Sequence, residues 1–201
     1  MPWQVYNSAG QLLQATDLPD NAVTNAKVAD DAIGVVELSA TGTASSSTFL
    51  RGDNAWAAVS VPTARCRVTD ANGQSIANES DVAIIFDTER FDTDTMHDNS
   101  TNNTRITFTT AGTYIVGGHI QFPTSASGAR ALIVRKNGST QIGLDQKDGS
   151  SSDSIRLSVN TIDTFAATDY VELVVYQDSG GSLTTDKINN RSPEFFAAQI
   201  Q

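Results

Sequence analysis

Tyr114, Val116, Gly118, Ile120 and Phe122 occupy every second position of one short stretch, with His119 and Gln121 between them. Successive side chains of an extended strand point to opposite faces, so the first five share one side and the polar pair lies on the other. A helix would scatter the same residues round its circumference. The two-residue beat recurs from Ala64 onward, interrupted by clusters of Gly, Asn, Asp and Ser. It predicts strands over Ala64–Val68, Val82–Phe86, Arg105–Thr109, Tyr114–Phe122, Ala131–Arg135, Gln141–Leu144, Ser154–Thr161, Tyr170–Gln177 and Phe195–Ile200. Short strands parted by turn residues fold as a sandwich or barrel, and an all-β domain is expected. Lys136-Asn137-Gly138-Ser139 signals a hairpin, because Asn-Gly tolerates the positive φ of a type I′ turn. Val171, Leu173 and Val175 alternate with Glu172, Val174 and Tyr176, so this strand is apolar on both faces. In so small a domain that pattern predicts burial against another subunit.

Upstream of Pro62 the character differs. Only Lys27 and Arg51 are basic there, and the aromatics are Trp3, Tyr6, Phe49 and Trp56. A boundary at Ser60–Thr63 divides the chain into residues 1–62 and 63–201. Within the first part, Asn21–Asp30 aligns without gaps on Asp31–Ala40, placing Val23 on Ile33 and Val28 on Leu38; Leu13 and Leu18 extend the register upstream. A five-residue step turns about 500° on an α-helix, so it makes no stripe, and an odd step changes face on a strand. Copies of the chain wound together would bury such sparse apolar residues; a short capped helix after Asp20 is the alternative.

Composition narrows the function. Thirteen basic against 23 acidic residues leave a net charge of −10, which argues against nucleic acid and against an anionic membrane surface. No apolar run approaches the roughly 20 residues of a membrane span, so no membrane insertion is expected. Met1–Tyr6 lacks the basic and apolar regions of a secretory signal, and export is expected by another route or not at all. The single cysteine, Cys66, rules out a disulfide framework and reads as a small buried apolar residue.

Candidate chemistry is sparse. Asp87, Glu89, Asp92, Asp94, His97 and Asp98 form the densest acidic cluster, and Asp92, Asp94 and Asp98 are the candidate Ca²⁺ ligands. The run lacks the EF-hand pattern and reads as a solvated loop, with no cofactor otherwise expected. His97 in a polar loop and His119 on a strand, without a Gly-x-Ser-x-Gly elbow, read as structural, and no enzyme activity is expected. Arg51-Gly52-Asp53 reads as a turn. Asn78, Asn99, Asn102, Asn137 and Asn190 begin glycosylation-type triplets, which an Asn- and Ser-rich chain produces by chance.

Two resemblances add to this reading. Asn21–Leu38 resembles the repeats of phage tail-fibre shafts, Thr41–Trp56 is similar to the segment that follows them, and Trp3–Leu13 reads like a fibre N-terminus and physically like a hairpin turning at Ala9-Gly10. Ile106-Thr107-Phe108 followed by Gly112-Thr113-Tyr114-Ile115-Val116 resembles the central signature of the C1q/TNF-like jelly roll. Thr168–Leu173 and Pro193–Ile200 resemble that family's later strands, with Thr168 and Phe196-Ala197-Ala198 departing from its usual residues.

The resemblances imply an all-β C1q/TNF-like jelly-roll sandwich on an extended N-terminal anchor and stalk, assembling as a homotrimer. They imply a bacteriophage virion fibre that attaches to a host-surface glycan or protein and contacts other virion proteins through its N-terminal segment. A head or collar fibre or decoration protein is the structural alternative; a glycan-cleaving tailspike and a secreted C1q-like lectin are others. Such a protein is assembled in the host cytoplasm and ends in the virion. Expected receptor contacts lie in the loops Asp92–Asn103, Lys147–Asp153 and Asp178–Asp186, with Asn99, Asn102, Asn103, Ser150, Ser151, Asp178 and Ser182 as candidates. Phe108, Tyr114, Phe122, Tyr170, Tyr176, Phe195 and Phe196 are the candidates for core or trimer contacts.

Overall fold

The structure is a computed structural model. It describes residues 37–59, 61–70, 72–188 and 192–200, together with 6, 8–12, 24, 28, 29, 33 and 34. Most of the Met1–Leu18 anchor and of the repeat over Asn21–Ala40 therefore lies outside the described residues, as does Asn190. The chain divides into two units, residues 1–60 and 61–201. In the first, Tyr6 bridges Leu12 antiparallel across a turn in which Gly10 has φ +76°. Strands β1 (Thr48–Leu50) and β2 (Trp56–Ala58) form a hairpin with Leu50 opposite Trp56. Its turn is Arg51–Asn54, closed by Asn54 N donating to Arg51 O at 3.0 Å and by an Arg51–Asp53 ion pair at 2.9 Å. Arg51-Gly52-Asp53 is thus the turn that its composition predicts.

The second unit holds β3 (Arg65–Thr69), β4 (Ser75–Ile76), β5 (Val82–Ala83), β6 (Thr88–Asp92), β7 (Arg105–Thr107), β8 (Gly112–Phe122), β9 (Ser125–Lys136), β10 (Thr140–Ser150), β11 (Ile155–Phe165), β12 (Tyr170–Gln177), β13 (Leu183–Thr184) and β14 (Glu194–Gln199). One sheet runs β11-β8-β14-β3-β6 and the other β10-β9-β12, with β5 and β7 sharing the far edge of β12. All these pairings are antiparallel, and a small β4–β13 pair stands apart. Among the described residues there is no α-helix. Asn137 and Gly138, at φ +50° and +72°, join β9 to β10 as the Asn-Gly pair predicts.

The alternating residues of β8 build the interior. Tyr114, Val116, Ile120 and Phe122 are buried, and cross-strand partners on β11 and β14 put Leu157, Val159, Phe195 and Ala197 beside them. At Gly118 the sheets approach closely: a Cβ there would sit 2.8 Å from Leu173 Cδ2 of the opposite sheet and 2.6 Å from Glu194 O. Phe108 stacks on Phe165 at 3.9 Å and meets Tyr114 edge-on at 4.6 Å, while Phe86 stacks on Phe195 at 5.7 Å. Cys66 is a buried free thiol, and burial pushes its pKa far up, with Asp92 and Glu89 adding to the shift.

Three expectations need correction. Val174 is 0% exposed within one chain, so the apolar second face of β12 is closed there without a second subunit. Its cross-strand neighbours, Ile133 of β9 and Ala83 of β5, flank it. The acidic run beyond Asp87 is not all loop, because Thr88–Asp92 is an edge strand on β3. Charged residues suit an exposed edge, where they discourage pairing with another chain. Strands β9, β10 and β11 are also longer than the alternation predicts, and residues 147–150 belong to β10 rather than to a loop. Replacing Phe165 by Ala removes the ring stacked on Phe108 and lowers stability by about 3–5 kcal/mol in a denaturant titration, whereas the neighbouring exposed Thr164→Ala shifts the midpoint little.

Candidate functional site

The sheet β11-β8-β14-β3-β6 has a second face. Register places Ile162, Ile115, Ala198 and Arg65 in one row across it, then Asn160, Gly117, Phe196, Arg67 and Phe91, then Ser158, His119, Glu194 and Thr69. Ile162 is 61% exposed and Phe91 42%, and Ile200 at the end of β14 is exposed too. A depression of about 360 Å³ lies here, lined in part by Arg65, Arg67, Phe91, His119, Glu194 and Phe196.

At its centre Glu194 is 1% exposed. Arg67 Nε and Nη2 donate to Glu194 Oε1 at 2.8 and 2.5 Å, and His119 Nε2 lies 3.7 Å from the same oxygen. Arg90 Nε stands 3.3 Å from Oε2 without hydrogen-bond alignment, so that buried oxygen has no hydrogen bond. Arg90 reaches this point from the register shift between β3 and β6, where the extra residue re-aims a side chain. A carboxylate held out of water by cations is unstable without them, which makes the cluster a fixed feature of this face.

A second hollow, of about 600 Å³, opens beside β7 and the loop before it. Its lining includes Glu89, His97, Asp98, Asn99, Thr101, Asn102 and Arg105. The Arg105 guanidinium stacks on the Tyr170 ring at 4.6 Å, its Nε is buried without a hydrogen bond, and it makes no ion pair among the described residues. His97 Nδ1 lies 3.2 Å from Glu89 Oε1, and its side chain is buried. A third hollow, of about 370 Å³, is lined by His119, Gln121, Lys147, Arg156, Ser158 and Ser192 among others. Its cations are engaged: Lys147 Nζ donates to Arg156 O at 2.6 Å, and Arg156 Nε to Gln121 Oε1 at 2.7 Å.

The three candidate metal ligands do not converge. Asp92 accepts from the backbone N–H groups of Asp94 and His97 at 3.0 and 2.8 Å, and Asp94 accepts from the Thr109 hydroxyl. Asp98 Oδ1 accepts from Ser100 N, Ser100 Oγ and Thr101 N at 2.8–3.0 Å. Asp92 and Asp98 staple their own loops, and Asp94 ties its loop to Thr109 beyond β7. Among the described residues no group of three or more His, Cys, Asp or Glu is placed to hold a metal ion.

The receptor-contact candidates separate into two places. Asn99, Asn102 and Asn103 lie on the loop entering β7, the first two lining its hollow. Ser150, Ser151, Asp178 and Ser182 lie where β10 and β12 end, with Ser150 opposite Ser125 and Asp178 N donating to Ala129 O at 3.3 Å. Of the aromatic candidates, Phe108, Tyr114, Phe122 and Phe195 are core. Tyr170 is half-buried beneath Arg105, Tyr176 is half-buried, and Phe196 is half-buried on the outward face. Sequence reasoning missed Glu194, Arg67, Arg90 and Arg105 as site residues. An acid immediately before Phe195-Phe196 was a signal for Glu194; the others depend on partners distant in sequence.

No family model matches the chain, and no curated protein matches it. The two facing antiparallel sheets make the second unit a jelly-roll sandwich of the TNF/C1q kind. The solved structures most like it include murine APRIL at pH 5.0, with a TM-score of 0.55 and 6% identity over 68% of this chain and 98% of that one. Murine APRIL at pH 8.5 follows, with a TM-score of 0.52, 6% identity and coverage of 68% and 98%. The globular domain of zebrafish complement 1qA gives 0.48, with 14% identity over 69% and 98%. At 6% identity the likeness to the two APRIL structures establishes the fold alone.

Two measurements check the site. Glu194→Ala leaves Arg67 and Arg90 facing each other on the sheet; because both keep some contact with water, the loss of stability falls below the about 3–5 kcal/mol of a fully buried broken pair. Hydrogen bonds from Ser100 and Thr101 lower the Asp98 pKa to about 2 from 3.8. Its contribution to loop order is therefore complete above pH 3.8 and lost as pH falls through about 2. A carboxyl-carbon NMR titration of Asp98 with a midpoint near 2 is expected, and one at 3.8 would contradict the staple.

Proposed function

We propose that this chain is a homotrimeric bacteriophage fibre protein whose jelly-roll knob attaches the virion to a host surface. The observation that carries the reading is the outward face of β11-β8-β14-β3-β6, which carries the exposed Ile162 and, beside the buried Glu194 cluster, Phe91 and Phe196. An apolar patch rimmed by polar residues on a sheet face suits contact with another copy of the chain. Cyclic closure of three copies covers that face while leaving the loops that end β10 and β12, and the loop entering β7, as contact surfaces. Three weak sites on one rigid mount then bind at high effective concentration. The likeness of Asn21–Leu38 to fibre-shaft repeats supports the viral setting, and the TNF/C1q-like fold supports a knob. The function is binding rather than catalysis.

In solution the protein is expected at three times its 21.3 kDa chain mass, and Ile162→Glu shifts it toward the single-chain mass without loss of β-structure. A folded single chain for the unmodified protein contradicts the assembly. Particles lacking the protein are expected to adsorb to their host at least tenfold more slowly, and unchanged adsorption contradicts the attachment role.

A further inference from the structure

We propose that the hollow beside β7 binds an acidic saccharide residue, with Arg105 taking its carboxylate and the Asn99, Asn102 and Thr101 side chains taking its hydroxyls. The proposal deepens the attachment reading and rests on it for its biological setting, while the binding chemistry stands on the hollow alone.

Arg105 carries the inference. A guanidinium offers five N–H donors in a planar fork that matches a carboxylate. In a chain with 23 acidic and 13 basic residues, Arg65, Arg67 and Arg90 lie on the outward sheet face, with Glu194 between the last two. Arg105 makes neither an ion pair nor a side-chain hydrogen bond among the described residues, and its Nε is out of contact with water. Across the strand pair Arg105 is opposite Glu172, whose Oε1 accepts from the Thr104 hydroxyl at 3.2 Å and which makes no ion pair with Arg105. Stacking on Tyr170 holds the guanidinium plane in place, so little freedom is lost when an acceptor arrives. The Nη1 and Nη2 donors, which also make no hydrogen bond among the described residues and are not buried with Nε, are the ones that a ligand carboxylate meets.

The rest of the lining suits hydroxyl groups. The Asn99 and Asn102 amides and the Thr101 hydroxyl make no hydrogen bond among the described residues, so donors and acceptors both face a volume of about 600 Å³. That volume lies in the range of small-ligand sites. The acids of the lining are already engaged: Glu89 with His97, and Asp98 with Ser100 and Thr101. Each of these carboxylates has one oxygen held in this way, and Arg105 is the cation of the lining without an ion pair among the described residues. Asn102 has φ +53°, a left-handed conformation that Asn tolerates and that aims its amide from the tip of the loop.

The test is a titration of the full-length protein with D-glucuronate, D-glucose and acetate, read from the side-chain N–H signals of Asn99, Asn102 and Arg105. Glucuronate is expected to shift all three sets saturably, with glucose binding at least tenfold more weakly and acetate leaving the Asn amides unmoved. Arg105→Gln is expected to reduce glucuronate affinity about tenfold or more, with Arg105→Lys recovering only part of it. Asn102→Gly, which keeps the left-handed backbone and removes the amide, is expected to weaken glucuronate and leave the melting temperature unchanged. The proposal is overturned by the absence of any glucuronate shift, by equal affinity for glucose, or by acetate reproducing every shift. None of these outcomes alters the trimer mass or virion adsorption, so a failed titration is distinct from a failed attachment role.

Discussion

A two-sheet sandwich covers one face of each sheet with the other sheet and leaves each remaining face to be satisfied some other way. The two outer faces here are resolved differently. On the β12 side, Val174 is closed by the chain itself, flanked by Ile133 and Ala83, and Leu144 at the end of the same row is 50% exposed. On the β8 side, Ile162 and Phe91 remain open on a face that also carries a carboxylate out of water. The β8 side is distinguished by joining exposed apolar residues to a buried acid cluster, and the proposed assembly rests on that face.

The inner contact is fixed by close approach. Gly118 allows Leu173 of the opposite sheet to sit where a side chain would otherwise stand. Phe108, Phe165 and Tyr114 fill one region of the same space, and Phe86 with Phe195 another. Because residues alternate strictly between faces, a residue that packs inward fixes its neighbours outward. Phe195 in the core therefore commits Glu194 and Phe196 to the outer surface. The buried acid and the half-exposed aromatic are consequences of one register.

The strands legible in the sequence are those with uninterrupted alternation, and β12 has the predicted bounds, Tyr170–Gln177. Strands whose ends are polar on both faces were read too short. Ser125–Arg130 and Asp145–Ser150 extend β9 and β10 because each supplies the other's backbone partners, a fact that no local pattern carries. Thr88–Asp92 looked like loop for the same reason: an edge strand with charged side chains has no buried face to reveal it. Within the candidate site, Asn99 and Asn102 were visible as an unstructured polar run. Arg105 was not, since its significance comes from Tyr170, brought beneath it by strand pairing, and from its lack of an ion pair among the described residues.

The open sheet face is the feature on which the account stands, and its accessibility in solution is directly measurable. Cys66 is buried, so Ile162→Cys introduces a thiol on that face as the one group a maleimide can reach. Under native conditions the assembled protein should label far more slowly than after unfolding, because a neighbouring copy covers the position. Labelling at the rate of a free thiol in the folded protein would mean that the face is bare and that the assembly proposed here does not form through it.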